Sequence, residues 1–210
     1  MHPKIYHITH VNNLPSIIAD GGLLSDAAMI DRGGPATTIG MSRIKQRRLT
    51  LPVHCHSGTC VGDYVPFYFC SRSVMLYKIH CANDLQLTYR GGQGPIIHLE
   101  ADLRAVVDWS DSEQRLWAFS LSNAGAYHVE FRNDVAMLNQ LNWSAIAATQ
   151  WKPAEIRDPK QAEFLVHGSF PWELVGRIGV RSADIQEQVN SILRSSTTKP
   201  RVEVIRSWYY

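Results

Sequence analysis

The sequence predicts a mixed α+β fold, because short strand-like runs alternate along the chain with short helical segments. Residues 5–9, 95–99 and 164–166 are brief runs of apolar or β-branched side chains, which are typical of buried strands. A helix over residues 16–20 follows Asn12 and Asn13, either of which could cap it, and it ends at the glycine pair 21–22. No internal repeat, low-complexity tract or domain boundary interrupts this alternation.

The composition is that of a globular protein. Hydrophobic residues make up 45% and aromatic residues 10% of the 210 residues, which excludes a disordered chain and is enough to form a full hydrophobic core. We therefore expect one domain over residues 1–210.

Charge and apolar runs limit the possible partners. The formal net charge of +2 is too small to indicate nucleic-acid binding, which would need a local basic patch and aromatic stacking. No apolar run approaches the roughly 20 residues that cross a bilayer, and the first residues lack the apolar core of a signal peptide. We expect a cytoplasmic protein with no membrane partner, whose four cysteines, Cys55, Cys60, Cys70 and Cys81, are free thiols.

Glu163 is the first candidate for catalysis. It directly precedes the strand-like run 164–166, so its carboxylate is held rigidly and can still face a cleft. A carboxylate in such a position can stabilise charge that develops on a substrate. The alternative is an ordinary solvated residue at a strand edge.

His10 and Asn13 form a second candidate group. The strand over residues 5–9, His10, the asparagine cap, the short helix and the glycine pair follow one another directly, which brings both side chains to one end of a sheet. A histidine that is simply satisfied at a strand end is the alternative for His10.

A basic cluster lies in the long segment 24–50. Arg43, Lys45, Arg47 and Arg48 lie within six residues, in a partly helical excursion of the kind that often forms a binding loop or lid. The cluster is either a solvated helix face or a set of phosphate contacts, for which arginine is well suited.

Residues 63–70 form the most aromatic segment, with Tyr68 among its four aromatic side chains. Most of them are expected in the core, and one face could line a pocket for a flat ring. Pro66 argues against a regular central strand here. The nearby triplet His54-Cys55-His56 lacks the ligand spacing of a zinc site, so no metal is expected.

The remaining segments carry weaker signals. Helices are predicted over residues 138–148 and 184–193, and strands over residues 178–180 and 202–205. Residues 152–160 are polar and contain Pro153 and Pro159, so we expect a loop that leads to Gln161 and Glu163.

Three motifs together resemble one protein family. They are His10-x-x-Asn13-x-Pro15, the string Asp63-Tyr-Val-Pro-Phe-Tyr-Phe69, and Gln161-Ala-Glu163, with Arg48 fifteen positions before the second motif. In these the chain resembles the DarT family of bacterial DNA ADP-ribosyltransferase toxins, which pair with a macrodomain antitoxin. The second motif is specific, whereas the third alone is weak, and the resemblance extends over essentially the whole chain.

The resemblance implies an ADP-ribosyltransferase-like fold of two packed, mainly antiparallel sheets with peripheral helices and an NAD cleft between them. NAD is the implied co-substrate. Glu163 and Arg48 are the implied catalytic residues, and Arg48 would bind the NAD phosphates or act beside the acceptor base. The implied NAD-binding residues are His10, Asn13, Tyr68, Gly22 and Leu23.

The implied acceptor is a base in single-stranded DNA, thymidine in one branch of the family and guanosine in another. Thymidine is favoured, although the thymidine branch carries a histidine in the loop where this chain has Asn123. Residues 117–127 and 152–160 would approach the strand, and the expected DNA-binding residues are Arg47, Asn123, Arg157 and Lys160. An RNA or protein acceptor, or a binding module without chemistry, are the alternatives.

Overall fold

The computed structural model describes residues 3–210 as a mixed α+β fold. Its strands are β1 Lys4–His10, β2 Gly22–Leu24, β3 Tyr64–Tyr68, β4 Ile96–Asp102, β5 Trp117–Asn123, β6 Phe131–Arg132, β7 Ala162–His167, β8 Ser169–Pro171, β9 Arg177–Val180 and β10 Arg201–Val204. Its α-helices are α1 Leu14–Ala19, α2 Asp26–Asp31, α3 Ser42–Arg48, α4 Val74–Cys81, α5 Leu103–Ser112, α6 Trp143–Ala147, α7 Ala154–Lys160 and α8 Ala183–Leu193. Short 3₁₀ turns cover Val11–Asn13, Val61–Asp63, Val135–Gln140, Trp172–Leu174 and Arg206–Trp208.

The large sheet is divided in its middle. Its strand order is β10-β9-β4-β1-β3-β7-β5-β6, and all neighbours are antiparallel except β9 and β10. Strand β1 pairs with β4 along its whole length, but it pairs with β3 only at Tyr6 and Tyr68. Two four-stranded halves therefore meet at a single residue pair, and β2 and β8 form a separate two-stranded sheet. This arrangement is the mainly antiparallel, two-part fold that the motifs implied.

Pro66 lies in the middle of the central strand β3, so the expectation that it would exclude a regular central strand was wrong. The whole of β3 pairs with β7, and the missing N–H of Pro66 does not interrupt that ladder. On the side of β1, the His7 ring nitrogen Nδ1 lies 2.8 Å from the Pro66 carbonyl oxygen and bonds it in place of a backbone N–H. A proline is tolerated here because the sheet divides at this point.

Two local predictions need correction. Asn13 stands at the N-terminus of α1 without a side-chain cap bond, whereas the His10 ring accepts the Asn12 N–H at 3.1 Å and caps the preceding turn. Residues 154–160 form helix α7 and not a loop. Pro153 occupies the capping position before the first turn, whereas Pro159 lies inside the last turn, where it removes one backbone N–H donor without ending the helix before Lys160.

Strand β7 is buried on both faces, which explains its continuous apolar run. Phe164 and Val166 pack into the main core, whereas Leu165 points to a second apolar cluster with Tyr64 and Ala118. The carboxylate of Glu163 therefore projects from a strand that the core holds rigidly on both sides.

Within residues 3–210, no helix has the length and apolar character that a membrane span requires.

Gly22 provides a test of the packing between β2 and β8. A Cβ at Gly22 would lie 2.0 Å from the Phe170 carbonyl oxygen, at a φ of +150°, so Gly22→Ala forces β2 away from β8. We expect it to lower the free energy of unfolding by about 3 kcal/mol or more, measured by urea denaturation. Gly21→Ala is the control, because its φ is +72° but no atom lies within 4 Å, so only about 1 kcal/mol of backbone strain is expected. Equal losses in the two variants would contradict the packing argument.

Candidate active site

A cleft with a cavity volume of about 460 Å³ opens beside the division between β1 and β3. Helix α1 and strand β2 form one wall of the cleft. Helix α3 and the segment before it form a second wall, and α4 forms part of a third. Eight residues that the sequence analysis singled out line it: Asn13, Gly22, Leu23, Arg48, Tyr68, Asn123, Gln161 and Glu163. The structure thus brings together most of the residues that the sequence motifs singled out, from positions far apart in the chain.

A buried ion pair between Arg48 and Glu163 lies in the wall of the cleft. Arg48 Nη1 donates to both carboxylate oxygens of Glu163, at 2.9 and 3.1 Å, and the two residues are 7% and 4% exposed. Burial by itself would lower the pKa of Arg48, but the charge and hydrogen bonds of Glu163 raise it above its usual value. Arg48 is therefore a permanent cation beside the carboxylate.

Helix α3 delivers Arg48 at its last residue, and strand β5 holds Glu163 in place. A bulge in β5 between Phe119 and Asn123 interrupts its pairing with β7. Ser120 Oγ fills this gap by accepting the Glu163 N–H at 3.0 Å, and the Ala124 N–H donates to Glu163 Oε1 at 3.2 Å. The carboxylate is thus oriented by two donors from other elements, Arg48 Nη1 and the Ala124 N–H, while Ser120 holds the backbone of Glu163.

Tyr68 lies beside the ion pair, because it is the residue of β3 directly opposite Glu163 on β7. Burial, and then the nearby charge of Glu163, raise the pKa of Tyr68 well above its usual value. The phenol therefore stays neutral and presents a flat ring and a hydroxyl group to the cleft.

Asn13 fixes one wall of the cleft, the segment 32–41. Its Nδ2 donates to the Thr37 carbonyl oxygen at 2.8 Å and to Thr9 Oγ1 at 3.0 Å, and its Oδ1 accepts the Thr37 N–H at 2.8 Å. Both Nδ2 protons are occupied by protein atoms. The amide of Asn13 therefore fixes the backbone of Thr37 in the cleft wall.

His10 lies outside the lining of the cleft, although it was expected to bind NAD. Its ring is used to cap the following turn and packs edge-on against Tyr89, with the ring centroids 5.7 Å apart. Burial lowers the pKa of His10, which favours the neutral ring. The histidine that does line the cleft is His7, which the sequence analysis missed because its alternation in β1 gives no signal of function.

The basic cluster separates into different roles and is not one solvated face. Arg48 is buried with Glu163, and Lys45 Nζ forms a salt bridge with Asp26 at 2.8 Å inside the cleft. Arg47 lies with its guanidinium carbon 5.2 Å from the centre of the Tyr127 ring. The arginine expected to contact DNA therefore lies against an aromatic side chain that is 77% exposed.

Asn123 and Gln161 close the end of the cleft next to Tyr127. Asn123 Nδ2 donates to Gln161 Oε1 at 3.1 Å, and its Oδ1 accepts the Gly125 N–H at 2.8 Å, so the amide shapes the loop that carries Tyr127. The sequence analysis expected residues 117–127 to approach the DNA strand but did not single out Tyr127. Its high exposure is visible only in the folded chain.

Arg157 and Lys160, expected to approach DNA together, point in different directions. Arg157 is largely exposed on α7 and pairs weakly with Asp158 at 3.4 Å. Lys160 is 3% exposed and donates to the Ile146 carbonyl oxygen at 2.7 Å. Lys160 therefore lies away from the exposed face of α7 that carries Arg157, because the last turn of α7 rotates it inward.

Within residues 3–210, no group of three or more histidine, cysteine, aspartate or glutamate side chains is arranged to hold a metal ion. In the His54-Cys55-His56 triplet, the Nε2 of His56 lies 2.8 Å from the Trp117 carbonyl oxygen. The triplet is therefore tied to strand β5 through this hydrogen bond.

The cleft fits a nucleotide co-substrate. Its volume is within the range of about 300–1,000 Å³ that ligand pockets usually have. Arg48 Nη2 is buried without a hydrogen-bond partner, so it is a donor available to an oxygen atom of a ligand. Gly22 lets the backbone of β2 form part of the wall without a side chain.

Solved structures share this fold. The structure is similar to that of Thermus sp. 2.9 DarT in complex with ADP-ribosylated ssDNA, with a TM-score of 0.89 and 37% identity over 99% of this chain and 96% of that chain. The structure of Thermus sp. 2.9 DarT in complex with NAD⁺ matches with a TM-score of 0.81 and 36% identity over 99% and 98% of the two chains.

The sequence comparisons define the family. The family model for DarT, described as an ssDNA thymidine ADP-ribosyltransferase, matches residues 6–210. A DNA ADP-ribosyl transferase of Thermus aquaticus is 42% identical over 209 residues, which are 98% of this chain and 88% of the relative. This chain belongs to the DarT family. The resemblance that the motifs carried, and with it NAD as co-substrate, is confirmed.

The clamp between Asn13 and Thr37 leads to a prediction about the wall of the cleft. Asn13→Ala removes both hydrogen bonds to Thr37 and should speed hydrogen exchange at the Thr37 amide by about tenfold or more, as expected for the loss of one or two bonds of about 1 kcal/mol each. Exchange monitored by NMR measures this. The control is Asn12→Ala, since Asn12 is the exposed neighbour. Equal exchange rates in both variants would show that Asn13 does not hold the wall.

Proposed function

We infer that the chain transfers ADP-ribose from NAD to a thymidine base in single-stranded DNA and releases nicotinamide. The family supports the reaction and the acceptor. The observation in this chain that carries the inference is the buried, oriented Arg48–Glu163 pair in the wall of a nucleotide-sized cleft. Such a pair places fixed charge where a transition state develops charge.

We propose that Glu163 is the catalytic carboxylate. NAD supplies the bond between nicotinamide and ribose, whose cleavage places positive charge on the ribose ring. The Glu163 carboxylate can accept a hydrogen bond from a ribose hydroxyl group and stabilise this charge. It can also accept the proton of the attacking base nitrogen as a general base.

Arg48 is proposed to serve in two ways. Its Nη1 bonds both oxygens of the Glu163 carboxylate and orients it. Its unpartnered Nη2 is free to donate either to a phosphate oxygen of NAD or to the acceptor base. Tyr68, Gly22 and Leu23 line the same cleft and would form the wall around NAD, with Asn13 acting through Thr37.

The acceptor strand is proposed to enter beside Asn123 and Tyr127. Tyr127 is highly exposed and backed by the guanidinium group of Arg47, so its free ring face can stack on an unpaired base while the arginine attracts phosphates. Arg157 lies one helical turn before Gln161 and is exposed, which suits a phosphate contact on the same side. An unpaired base avoids the cost of leaving a duplex, about a few kcal/mol.

A guanosine acceptor is the second candidate. It is favoured by Asn123, whose amide stands where a histidine is expected in the thymidine branch. A macrodomain antitoxin is the proposed neutralising partner, on the strength of the family resemblance. A cytoplasmic location is proposed because both NAD and the DNA acceptor are found there.

Replacement of Glu163 tests the chemistry. Glu163→Gln keeps the size of the side chain but removes its charge, so we expect kcat/KM to fall by about 10²- to 10⁴-fold. The measurement is the intact mass of thymidine-only, guanosine-only and RNA oligonucleotides after incubation with NAD. A mass increase of one ADP-ribose on the thymidine strand, lost in the variant, is the expected result.

The matched control for this assay is Glu155→Gln, since Glu155 is an exposed carboxylate in the first turn of α7. Modification of the guanosine strand alone would replace thymidine as the acceptor. If no strand gained mass while the folded protein still bound DNA, the chain would be a binding module and the enzymatic proposal would be wrong.

Tyr127 tests the proposed entry of the strand. Tyr127→Ala removes the stacking ring and should raise KM for the oligonucleotide by about tenfold, because one base stacked on an aromatic side chain contributes roughly 1–3 kcal/mol. Tyr127→Phe keeps the ring and should behave like the unchanged protein in the same steady-state assay. A normal KM in Tyr127→Ala would remove Tyr127 from the DNA contacts.

A further inference from the structure

A second cavity, with a volume of about 350 Å³, lies outside the candidate active site and shares no lining residue with it. Its walls come from the segment after β3, from the end of α6, from the end of α7 and from the C-terminal segment. None of the roles proposed above uses this cavity.

Two cations face this cavity without an anionic partner. Lys160 is 3% exposed, and its Nζ contacts the Ile146 carbonyl oxygen at 2.7 Å and Cys70 Sγ at 3.7 Å. Arg72 lies with its guanidinium carbon 4.3 Å from the centre of the Tyr210 ring, and its Nε is buried without a partner. Among the residues that the structure describes, neither cation forms a salt bridge.

The titratable side chains of Cys70 and Tyr210, which lie beside the two cations, are neutral. Burial raises the pKa of the Cys70 thiol, and it raises the pKa of the Tyr210 phenol to about 12, so neither group carries negative charge near neutral pH. Burying cations without a counter-charge is unfavourable, and an anion bound between them would offset that cost. The chemistry of the cavity therefore selects an anionic ligand.

Flat aromatic rings make up much of the remaining wall. Phe69 and Trp143 meet edge to face with their ring centroids 5.6 Å apart, and Tyr6 and Tyr210 lie on the other sides. Aromatic walls beside unpaired cations are the combination that binds a base together with its phosphate. An inorganic anion alone would leave these rings unused.

The cavity lies next to the active site along the chain. Lys160 faces the second cavity and its neighbour Gln161 lines the cleft, and Tyr68 of the cleft is followed at once by Phe69 of the second cavity. Successive residues of an extended chain are only about 3.3 Å apart. Successive side chains of a strand point to opposite faces, so this segment separates the two cavities, and an acceptor strand would have to run around it to occupy both.

We propose that this second cavity binds a nucleoside monophosphate unit, with the phosphate between Lys160 and Arg72 and the base against the aromatic wall. The unit is either a nucleotide further along the acceptor strand or a free mononucleotide. The acceptor strand as the source rests on the proposed function. The binding of a mononucleotide in this cavity does not depend on the proposed function.

The first test titrates thymidine 5′-monophosphate, and inorganic phosphate separately, into the full chain. The NMR signals of the Trp143 indole N–H and of the Arg72 and Thr149 amides report on the second cavity, and the Thr37 amide reports on the cleft. We expect the mononucleotide to shift the second-cavity signals more strongly than phosphate does. Arg72→Gln should weaken this binding about tenfold, as for the loss of one charge-assisted hydrogen bond.

The control is Arg104→Gln, an exposed arginine on α5, which should leave the affinity unchanged. Lys160→Met is a second variant with the same expected loss, and if it fails to fold, Arg72→Gln still decides. Second-cavity signals that do not move, or an unchanged affinity in Arg72→Gln, would overturn the proposal.

The second test separates the two sources. If the ligand is part of the strand, Arg72→Gln raises KM for long acceptor oligonucleotides about tenfold, while kcat and KM for NAD stay the same. If the ligand is a free mononucleotide, the variant loses mononucleotide binding but keeps its KM for every acceptor. Because the titration needs no turnover, a chain that binds the mononucleotide yet modifies no DNA would retain this proposal while the proposed function fails.

Discussion

The ion pair between Arg48 and Glu163 connects helix α3 to strand β7 across 115 residues of sequence, and both the fold and the site depend on it. Two charges buried in this way lose several kcal/mol of hydration each, which their mutual attraction offsets only with good geometry. That geometry is present, since both carboxylate oxygens are bonded by Arg48 and Oε1 also accepts the Ala124 N–H. Removing one partner from such a pair usually costs about 3–5 kcal/mol, so the charges can persist in the site only together.

The division of the sheet creates the space that this pair faces. A continuous ladder between β1 and β3 would fill the region with backbone hydrogen bonds, whereas the single contact between Tyr6 and Tyr68 leaves it open. Pro66 contributes by lacking an N–H, and His7 satisfies the carbonyl oxygen that the missing ladder would leave unpaired. The same strands are buried on both faces away from the cleft, which keeps Tyr68 and Glu163 rigid next to an opening.

The cleft combines rigid and adjustable walls. Glu163 and Tyr68 stand opposite each other on paired strands, whereas the segment 32–41 has no regular structure around Thr37 and depends on the amide of Asn13. The cleft therefore lies between the rigid carboxylate of Glu163 and the segment 32–41, which Asn13 anchors at Thr37. On the acceptor side, Asn123 gives the loop of Tyr127 its shape by bonding both Gln161 and Gly125.

The sequence by itself determined the elements and the identity of the central residues. The apolar run in β7, the glycine pair after α1 and the three motifs were enough to predict the α+β class, the family and the importance of Glu163 and Arg48, since these signals are local in the chain. Tertiary structure decided what each side chain faces. The ring of His10 caps the turn that follows it, and the amide of Asn13 holds Thr37 in the cleft wall. Lys160 is buried beside the second cavity, whereas the ring of Tyr127 is exposed. Such outcomes depend on contacts between distant segments and on the rotation of a helix, and no local pattern of residues records them.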